Sequence, residues 1–320
     1  MTLVPYAATP LARAMPLTAL PEDELRRRAV TWARDREFDG LWQLTEAYLT
    51  VYGPNGGQVS AHTLRDYKRG VRVLLDEGQF DLLRPGRDAG ALYLRSLENE
   101  TASRRALRPS TVQNRLAAAK WLYRALRWAG ATTADPFEHP RPVKDTVDPS
   151  DKRDAYTQDE LERLLQIAGP RDRVIILLCA YAGLRNSEVR ALRWDDIDFA
   201  RQQLTVQRGK GRKPRSVTLA LTLTRALRAL PRRPDGLVIG LSSYGLRKRV
   251  RKLAVIAEIP EKALRGRGVH ALRHYAGVRL IEETNDLDLV AQFLGHANIQ
   301  TTRTYTKRAD KRQKKSVGVW

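Results

Sequence analysis

Between residues 134 and 151 the chain carries Pro136, Pro140, Pro142 and Pro149 among charged residues and shows no apolar periodicity. Each proline fixes φ and removes an amide donor, so neither a helix nor a central strand runs through such a stretch. It reads as an exposed connection that cuts the 320 residues into two folding units. At 42% hydrophobic residues, both sides have material for a core. The expected organisation is a tail and leading helix over 1–40, a helical domain over 41–133, a linker over 134–151, a second domain over 152–310 and a tail over 311–320.

Upstream, the patterning is helical throughout. Pro21 and the acids Glu22, Asp23 and Glu24 open a segment over 21–37 that contains no further Gly or Pro until its end. Helical spacing continues over 41–51, 60–77 and 87–99, broken by the Gly/Pro/Asn loop at 53–57 and by Pro85-Gly86. A further helix is predicted over 109–129, with Val112, Leu116, Ala119, Leu122, Tyr123 and Leu126 on its apolar side and Gly130 at its end. The first twenty residues, interrupted by Pro5, Pro10 and Pro16, read as a flexible tail and are poor material for a signal-peptide core.

Downstream, Thr157-Gln158-Asp159-Glu160 forms a capping-box pattern ahead of Leu161, Leu164 and Leu165. An apolar helix over 171–182 follows and contains the single cysteine, Cys179, which is expected to be a small buried hydrophobe in a reducing compartment. Residues 202–207 and 215–220 alternate like two strands around a Gly/Lys/Arg-rich turn at 208–214, and helical patterning resumes after 221. The fold class is mainly α with a small antiparallel β-sheet.

Charge narrows the partner. The chain carries 57 Lys plus Arg against 36 Asp plus Glu, a net charge of +21. The first 150 residues hold about +4 of this and the remainder about +17. A polyanion is the natural counterpart, and nucleic acid leads; an anionic membrane surface or ribosomal RNA would also attract such a charge, and a solubilising surface is the plain alternative. No uninterrupted run of ~18 apolar residues exists, so no membrane span is expected. Basic positions on helical segments supply candidate phosphate contacts: Lys68 and Arg69; Arg108, Arg115, Lys120 and Arg124; and Arg247, Arg249 and Arg251. Arg212, Lys213 and Arg215 add a basic hairpin.

Four separated segments carry chemistry. Arg185 follows Ala182-Gly183-Leu184, where a glycine break ends one helix and a new one begins over 187–192; a guanidinium there can grip two phosphate oxygens at once. Lys210 stands between Gly209 and Gly211 in the hairpin turn, placed either to protonate a departing oxygen or only to neutralise charge. His270, Arg273 and His274 share one helical face. Their spacing also suits zinc, but the Glu of metalloprotease helices and further ligands are missing, so no metal and no cofactor are expected. Leu294-Gly295-His296 ends a helix, and Tyr305 follows nine residues after His296. Taken singly, each of these residues also fits an ordinary surface or packing role.

In this order the segments resemble the tyrosine recombinase (phage integrase) family: Ala182-Gly183-Leu184-Arg185 with Glu188, the hairpin lysine, His270-x-x-Arg273-His274, then Leu294-Gly295-His296 with Tyr305 beyond. The likeness is strong over 150–310, while 41–130 matches the family's helical (SAM-like) core-binding domain by size, position and basic helices. The resemblance implies a two-domain C-shaped DNA clamp of the simple Xer-like type. Arg185 and Arg273 would hold the scissile phosphate, Lys210 would be the acid for the 5′ oxygen, His270 and His296 would complete the pocket, and Tyr305 would be the nucleophile that forms a 3′-phosphotyrosyl bond.

The resemblance further implies site-specific recombination without metal or ATP, serving chromosome or plasmid dimer resolution or mobile-element integration and excision. Four subunits, identical or of two kinds, would assemble on two DNA sites in the cytoplasm at the nucleoid. The tail, basic at Lys311, Arg312, Lys314 and Lys315 and apolar to Trp320, would contact a neighbouring protomer. Two other classes remain in view: a non-catalytic DNA-binding protein that kept the clamp, and a type IB topoisomerase.

Overall fold

The computed structural model describes residues 9–54, 57, 59–100, 105–146, 154–207, 214–264 and 267–295. It divides into two compact units, Met1–Thr146 and Val147–Trp320.

The first unit is all helical: α1 (Pro10–Thr18), α2 (Glu22–Arg34), α3 (Phe38–Tyr52), α4 (Ala61–Glu77), α5 (Ala89–Glu98) and α6 (Pro109–Trp128). Helices α3, α4 and α6 form its centre, with α1 laid along α3. Leu41, Leu44, Leu74, Leu94, Leu122 and Leu126 are fully buried there. Gly70 allows α4 to approach α6, because a Cβ at that position would lie 2.4 Å from the Ala118 Cβ. Arg36 caps the end of α4 by donating to the carbonyls of Leu74, Leu75, Gly78 and Phe80.

Two boundaries differ from the sequence reading. The expected tail becomes helix α1 from Pro10 onward: Thr9 accepts the Ala12 amide at 3.2 Å, Pro10 occupies the first turn, where its missing N–H is harmless, and Ala14 and Leu17 bury. The linker also starts later than expected. Phe137 is fully buried among Phe80, Tyr93 and Tyr123, with ring centroids 6.4, 5.9 and 5.5 Å away. Asp135 pairs with Arg127 at 2.6 Å, and the Val143 amide donates to Glu98 at 2.6 Å. One aromatic ring in its socket thus holds a proline-rich stretch to the first unit.

The second unit is built around α8 (Pro170–Ala180), whose residues from Val174 to Ala180 are all buried. Around it stand α7 (Gln158–Ile167), α9 (Asn186–Ala191), α10 (Leu221–Arg228), α11 (Ser243–Ile256), α12 (Glu261–Leu264), α13 (Val269–Thr284) and α14 (Leu287–Leu294). The capping box at Thr157 and Glu160 forms as the sequence indicates. Cys179 is buried in the core, and burial pushes its thiol up to about 12. The sheet has three strands in the order β1 (Ile197–Asp198), β2 (Gln203–Val206), β3 (Arg215–Thr218), all antiparallel. The two-residue β1 escapes period-two patterning because it is too short to show any. Among the described residues, no helix is long and apolar enough to cross a membrane.

Phe137→Ala should destabilise the first unit by about 3–5 kcal/mol, because it empties a fully buried aromatic socket. Calorimetry should show the transition of that unit falling while that of the second unit holds.

Candidate active site

The site is assembled where three chain breaks meet. Helix α8 stops at Tyr181, and Gly183 turns the chain with φ +63°. A Cβ on Gly183 would lie 2.8 Å from both Leu294 Cδ2 and Phe293 Cε1, so glycine is required for conformation and for space. The Leu184 amide returns to Leu178 O at 3.0 Å, and the chain leaves extended at Arg185 before α9 begins. Glu188, one turn into α9, folds back and accepts the Arg185 amide at 2.8 Å. The anion-favouring start of this helix is therefore occupied by its own carboxylate.

That carboxylate gathers three guanidinium groups. Arg185 Nη1 donates to Glu188 Oε1 at 2.8 Å, and Arg215 donates to both oxygens at 3.0 and 2.9 Å. Arg273 Nη1 lies 3.7 Å from Oε2. The Arg273 side chain is 1% exposed, whereas those of Glu188, Arg215 and Arg185 are 13%, 15% and 22% exposed, so the cluster is half-buried around one buried arginine.

The same three arginines also receive the end of α14. Arg215 Nε donates to Phe293 O at 3.1 Å, Arg273 Nη2 to Leu294 O at 2.6 Å and Arg185 Nη2 to Gly295 O at 2.9 Å. A helix C-terminus leaves carbonyls without intrahelical donors and carries the negative end of the dipole, so cations are its natural partners. Gly295, with φ +61°, caps the helix in the left-handed conformation. Arg273 also donates from Nη1 to Gly183 O, which joins the α8 break to α13.

Glu188 remains ionised well into acid. Burial acts to raise its pKa, but hydrogen bonds from Arg215 and from the Arg185 amide, with the Arg215 charge, outweigh it and hold the group at about 2. Three guanidiniums against one carboxylate leave a surplus of positive charge, suited to an incoming phosphate.

Of the six residues read as catalytic, Arg185 and Arg273 meet in this cluster. His270 lies one turn before Arg273 on α13, exposed, with its ring 4.5 Å from that of His274 at 77°. Lys210, His296 and Tyr305 lie outside the described residues, as do Arg212 and Lys213 of the basic hairpin. Among the described residues, no group of three or more His, Cys, Asp or Glu is arranged to hold a metal ion.

The candidate DNA contacts divide by unit. Lys68 and Arg69 are exposed on α4, with Lys68 Nζ 5.6 Å from the Phe38 ring centroid. Arg108 is exposed at the N-cap of α6, Lys120 is half-buried on that helix, and Arg124 lies over Trp121 at 4.6 Å. Arg115 is half-buried; burial first, and the charge of Arg69 next, lower its pKa. Arg247, Arg249 and Arg251 are exposed on α11, with Arg249 paired to Asp172 at 3.0 Å and Arg251 3.7 Å from Glu261. Arg215, at the start of β3, donates from all three of its guanidinium nitrogens inside the cluster.

Comparison with known proteins decides the family. The model of the phage integrase family matches residues 155–312. Tyrosine recombinase XerC of Xanthomonas campestris pv. campestris is 31% identical over 307 residues, covering 91% of this chain and 92% of the relative. The chain belongs to the phage integrase family. It is a tyrosine recombinase of Xer type, an enzyme that breaks and rejoins DNA. Tyrosine recombinase XerA of Thermococcus kodakarensis is 34% identical over 276 residues, covering 82% of this recombinase and 88% of the relative. The fold matches that of the XerH site-specific recombinase bound to its palindromic difH substrate, with TM-score 0.66, 20% identity and coverage of 96% of this chain and 93% of that one. A lambda integrase dimer bound to a COC′ core site gives TM-score 0.62 at 17% identity, covering 82% and 75%.

The sequence reading named Glu188 only within the family pattern and read Arg215 as a DNA contact. The available signal for Glu188 was its i,i+3 relation to Arg185, the spacing of a capping residue. Nothing local marked Arg215, because its partners come from α9 and α14.

The depressed Glu188 pKa sets a pH window. Stability from the ionised carboxylate is fully present above its ordinary value of 4.5 and is lost as pH falls through about 2. Wild type should lose on the order of 3 kcal/mol across that window from this group. Glu188→Gln should be less stable at pH 7 and should show a correspondingly flatter acid limb in denaturant titrations.

Proposed function

We propose that this recombinase cuts duplex DNA through Tyr305, with Arg185 and Arg273 holding the non-bridging oxygens of the scissile phosphate. The observation that carries the reading is the convergence of both arginines on one half-buried carboxylate and one helix end. Groups held this way need little reorganisation when a phosphate arrives, and they face the charge that grows on it in the transition state. His296 and Tyr305 follow α14 in the chain, so the element whose end the arginines fasten is also the one that leads to the nucleophile.

In the proposed reaction the Tyr305 oxygen bonds to phosphorus as the bond to the 5′ oxygen breaks. His270 accepts the phenolic proton, Lys210 donates a proton to the departing oxygen, and His296 completes the pocket. The product is a 3′-phosphotyrosyl ester and a free 5′ hydroxyl. The ester conserves the energy of the original link, so attack by a second 5′ hydroxyl rejoins strands without ATP. Arginines perform the charge stabilisation that metal ions supply in many nucleases, so cleavage proceeds in EDTA.

Two basic surfaces support duplex binding: α4 with α6 in the first unit and α11 in the second, carrying Lys68, Arg69, Arg108, Arg115, Lys120 and Arg124, and Arg247, Arg249 and Arg251. Arg249 exchanges Asp172 for phosphate on binding. Four subunits assemble on two DNA sites in the cytoplasm and exchange strands between them.

Incubation with nicked duplexes in EDTA, followed by denaturation, should yield a protein–DNA adduct that Tyr305→Phe abolishes while duplex affinity is retained. An adduct formed equally by Tyr305→Phe removes Tyr305 as the nucleophile. Lys210→Ala should slow cleavage of ordinary DNA by roughly 10²–10⁴-fold and regain its rate on a substrate with a bridging 5′ sulfur, which leaves without a proton. Failure of that rescue removes Lys210 as the acid.

A further inference from the structure

We infer that Arg215 is a positioning residue, a strut that sets the spacing between Glu188 and the end of α14 and so aims Arg185 at the scissile phosphate. The inference rests on the reading of Arg185 and Arg273 as the pair that holds that phosphate. All three arginines span the same gap. Arg185 reaches from Glu188 Oε1, at 2.8 Å, to Gly295 O, at 2.9 Å. Arg273 Nη1 lies 3.7 Å from Glu188 Oε2, and its Nη2 donates to Leu294 O at 2.6 Å. Arg215 donates to both Glu188 oxygens at 3.0 and 2.9 Å and to Phe293 O at 3.1 Å. Consecutive carbonyls at the end of α14 thus face one carboxylate across three guanidiniums.

The spans are not equivalent. Arg185 is the N-cap of α9, so its pairing with Glu188 lies within one turn of chain and by itself does nothing to place α14. Arg215 comes from another element: it opens β3, where its backbone is paired with Val206 in the sheet. Its parallel pair of bonds fixes the plane of the Glu188 carboxylate, which a single bond leaves to turn about its last torsion. Its Nε bond then fixes where the end of α14 stands against that plane. Burial raises the Glu188 pKa, and the Arg215 hydrogen bonds are the largest influence lowering it, so Arg215 is the principal partner of the carboxylate. The Arg215 stem also lies against Gly295, where an added Cβ would stand 3.0 Å from its Cδ. The residue that accepts from Arg185 is therefore braced by the strut. Only a planar fork makes these three bonds together; a lysine keeps the charge and loses the geometry.

Charge grows on the non-bridging oxygens in the transition state, and a guanidinium displaced by about 1 Å forfeits on the order of 10²-fold in rate. A methylphosphonate, with a methyl group in place of one non-bridging oxygen, carries one charge fewer and asks less of the guanidiniums. A defect confined to the aim of the phosphate-holding arginines therefore shrinks on that substrate. A defect of folding, of duplex binding or of the nucleophile persists.

The test uses the full chain and single-turnover cleavage of saturating nicked duplex, with either an ordinary scissile phosphate or a methylphosphonate in its place. Thermal unfolding and salt-dependent binding are measured on each variant. Arg215→Lys should bind duplex with an unchanged salt slope, cleave ordinary DNA slower by on the order of 10²-fold, and recover most of that loss on the methylphosphonate. In a Glu188→Gln background the same substitution should add little further loss, because the strut acts through that carboxylate. Glu188→Gln alone leaves Arg215 in place and removes the charge it grips; this variant should show the same loss and the same recovery, and it decides the matter if Arg215→Lys does not fold. Wild-type cleavage of ordinary DNA by either variant, an equal loss on the two substrates, or additive losses in the double variant overturns the inference. A weakened affinity with a shallower salt slope in Arg215→Lys also overturns it and assigns Arg215 to DNA contact. Arg185→Ala runs beside them: if its loss does not shrink on the methylphosphonate, the phosphate-holding reading itself fails and the inference falls with it. If Arg185→Ala recovers and Arg215→Lys does not, only the role of Arg215 is rejected.

Discussion

Bringing three guanidinium groups together is unfavourable unless something gathers them, and here a carboxylate and a helix end do so. Glu188 supplies two acceptor oxygens, and the last carbonyls of α14 supply three more, one for each arginine. Separately, each anchor is ordinary: a capping acid on a six-residue helix and the open end of an eight-residue one. Together they fix Arg185, Arg215 and Arg273, which come from three distant parts of the chain. The helix end also gains, because its unsatisfied carbonyls find donors without solvent.

This arrangement explains several demands on the backbone. Gly183 is needed because the chain must turn sharply between α8 and Arg185 while Leu294 and Phe293 press against that turn. Gly295 is needed because α14 must stop where its carbonyls face the arginines. The apolar helix α8 provides the floor, and α13 packs on it with Arg273 pointing inward. Charge placed so deep is tolerated because each group has partners, and loss of one partner leaves the others exposed to the cost of burial.

The first unit follows simpler rules. Its helices pack through leucines and a close α4–α6 crossing at Gly70, and its polar side carries scattered cations. Burial, and after it the charge of Arg69, depresses the Arg115 pKa. Here the architecture displays charge, whereas in the second unit it concentrates charge at one point.

Much of this was legible in the sequence. The helices of the first unit, the capping box at Thr157, the hairpin strands and the burial of Cys179 depend on spacing and local chemistry, which neighbouring residues carry. The ordered pattern from Arg185 to Tyr305 carried the family. Other features had no local signature. Helix α1 needed the α3 surface to bury Ala14 and Leu17, and the proline-rich stretch needed a socket for Phe137. Above all, the pairing of Glu188 with Arg215 and of α14 with three arginines joins residues far apart in the chain. The sequence alone determined which side chains were available and which elements carried them. Only the tertiary structure decided that they meet, because a guanidinium finds its acceptors through space and not along the chain.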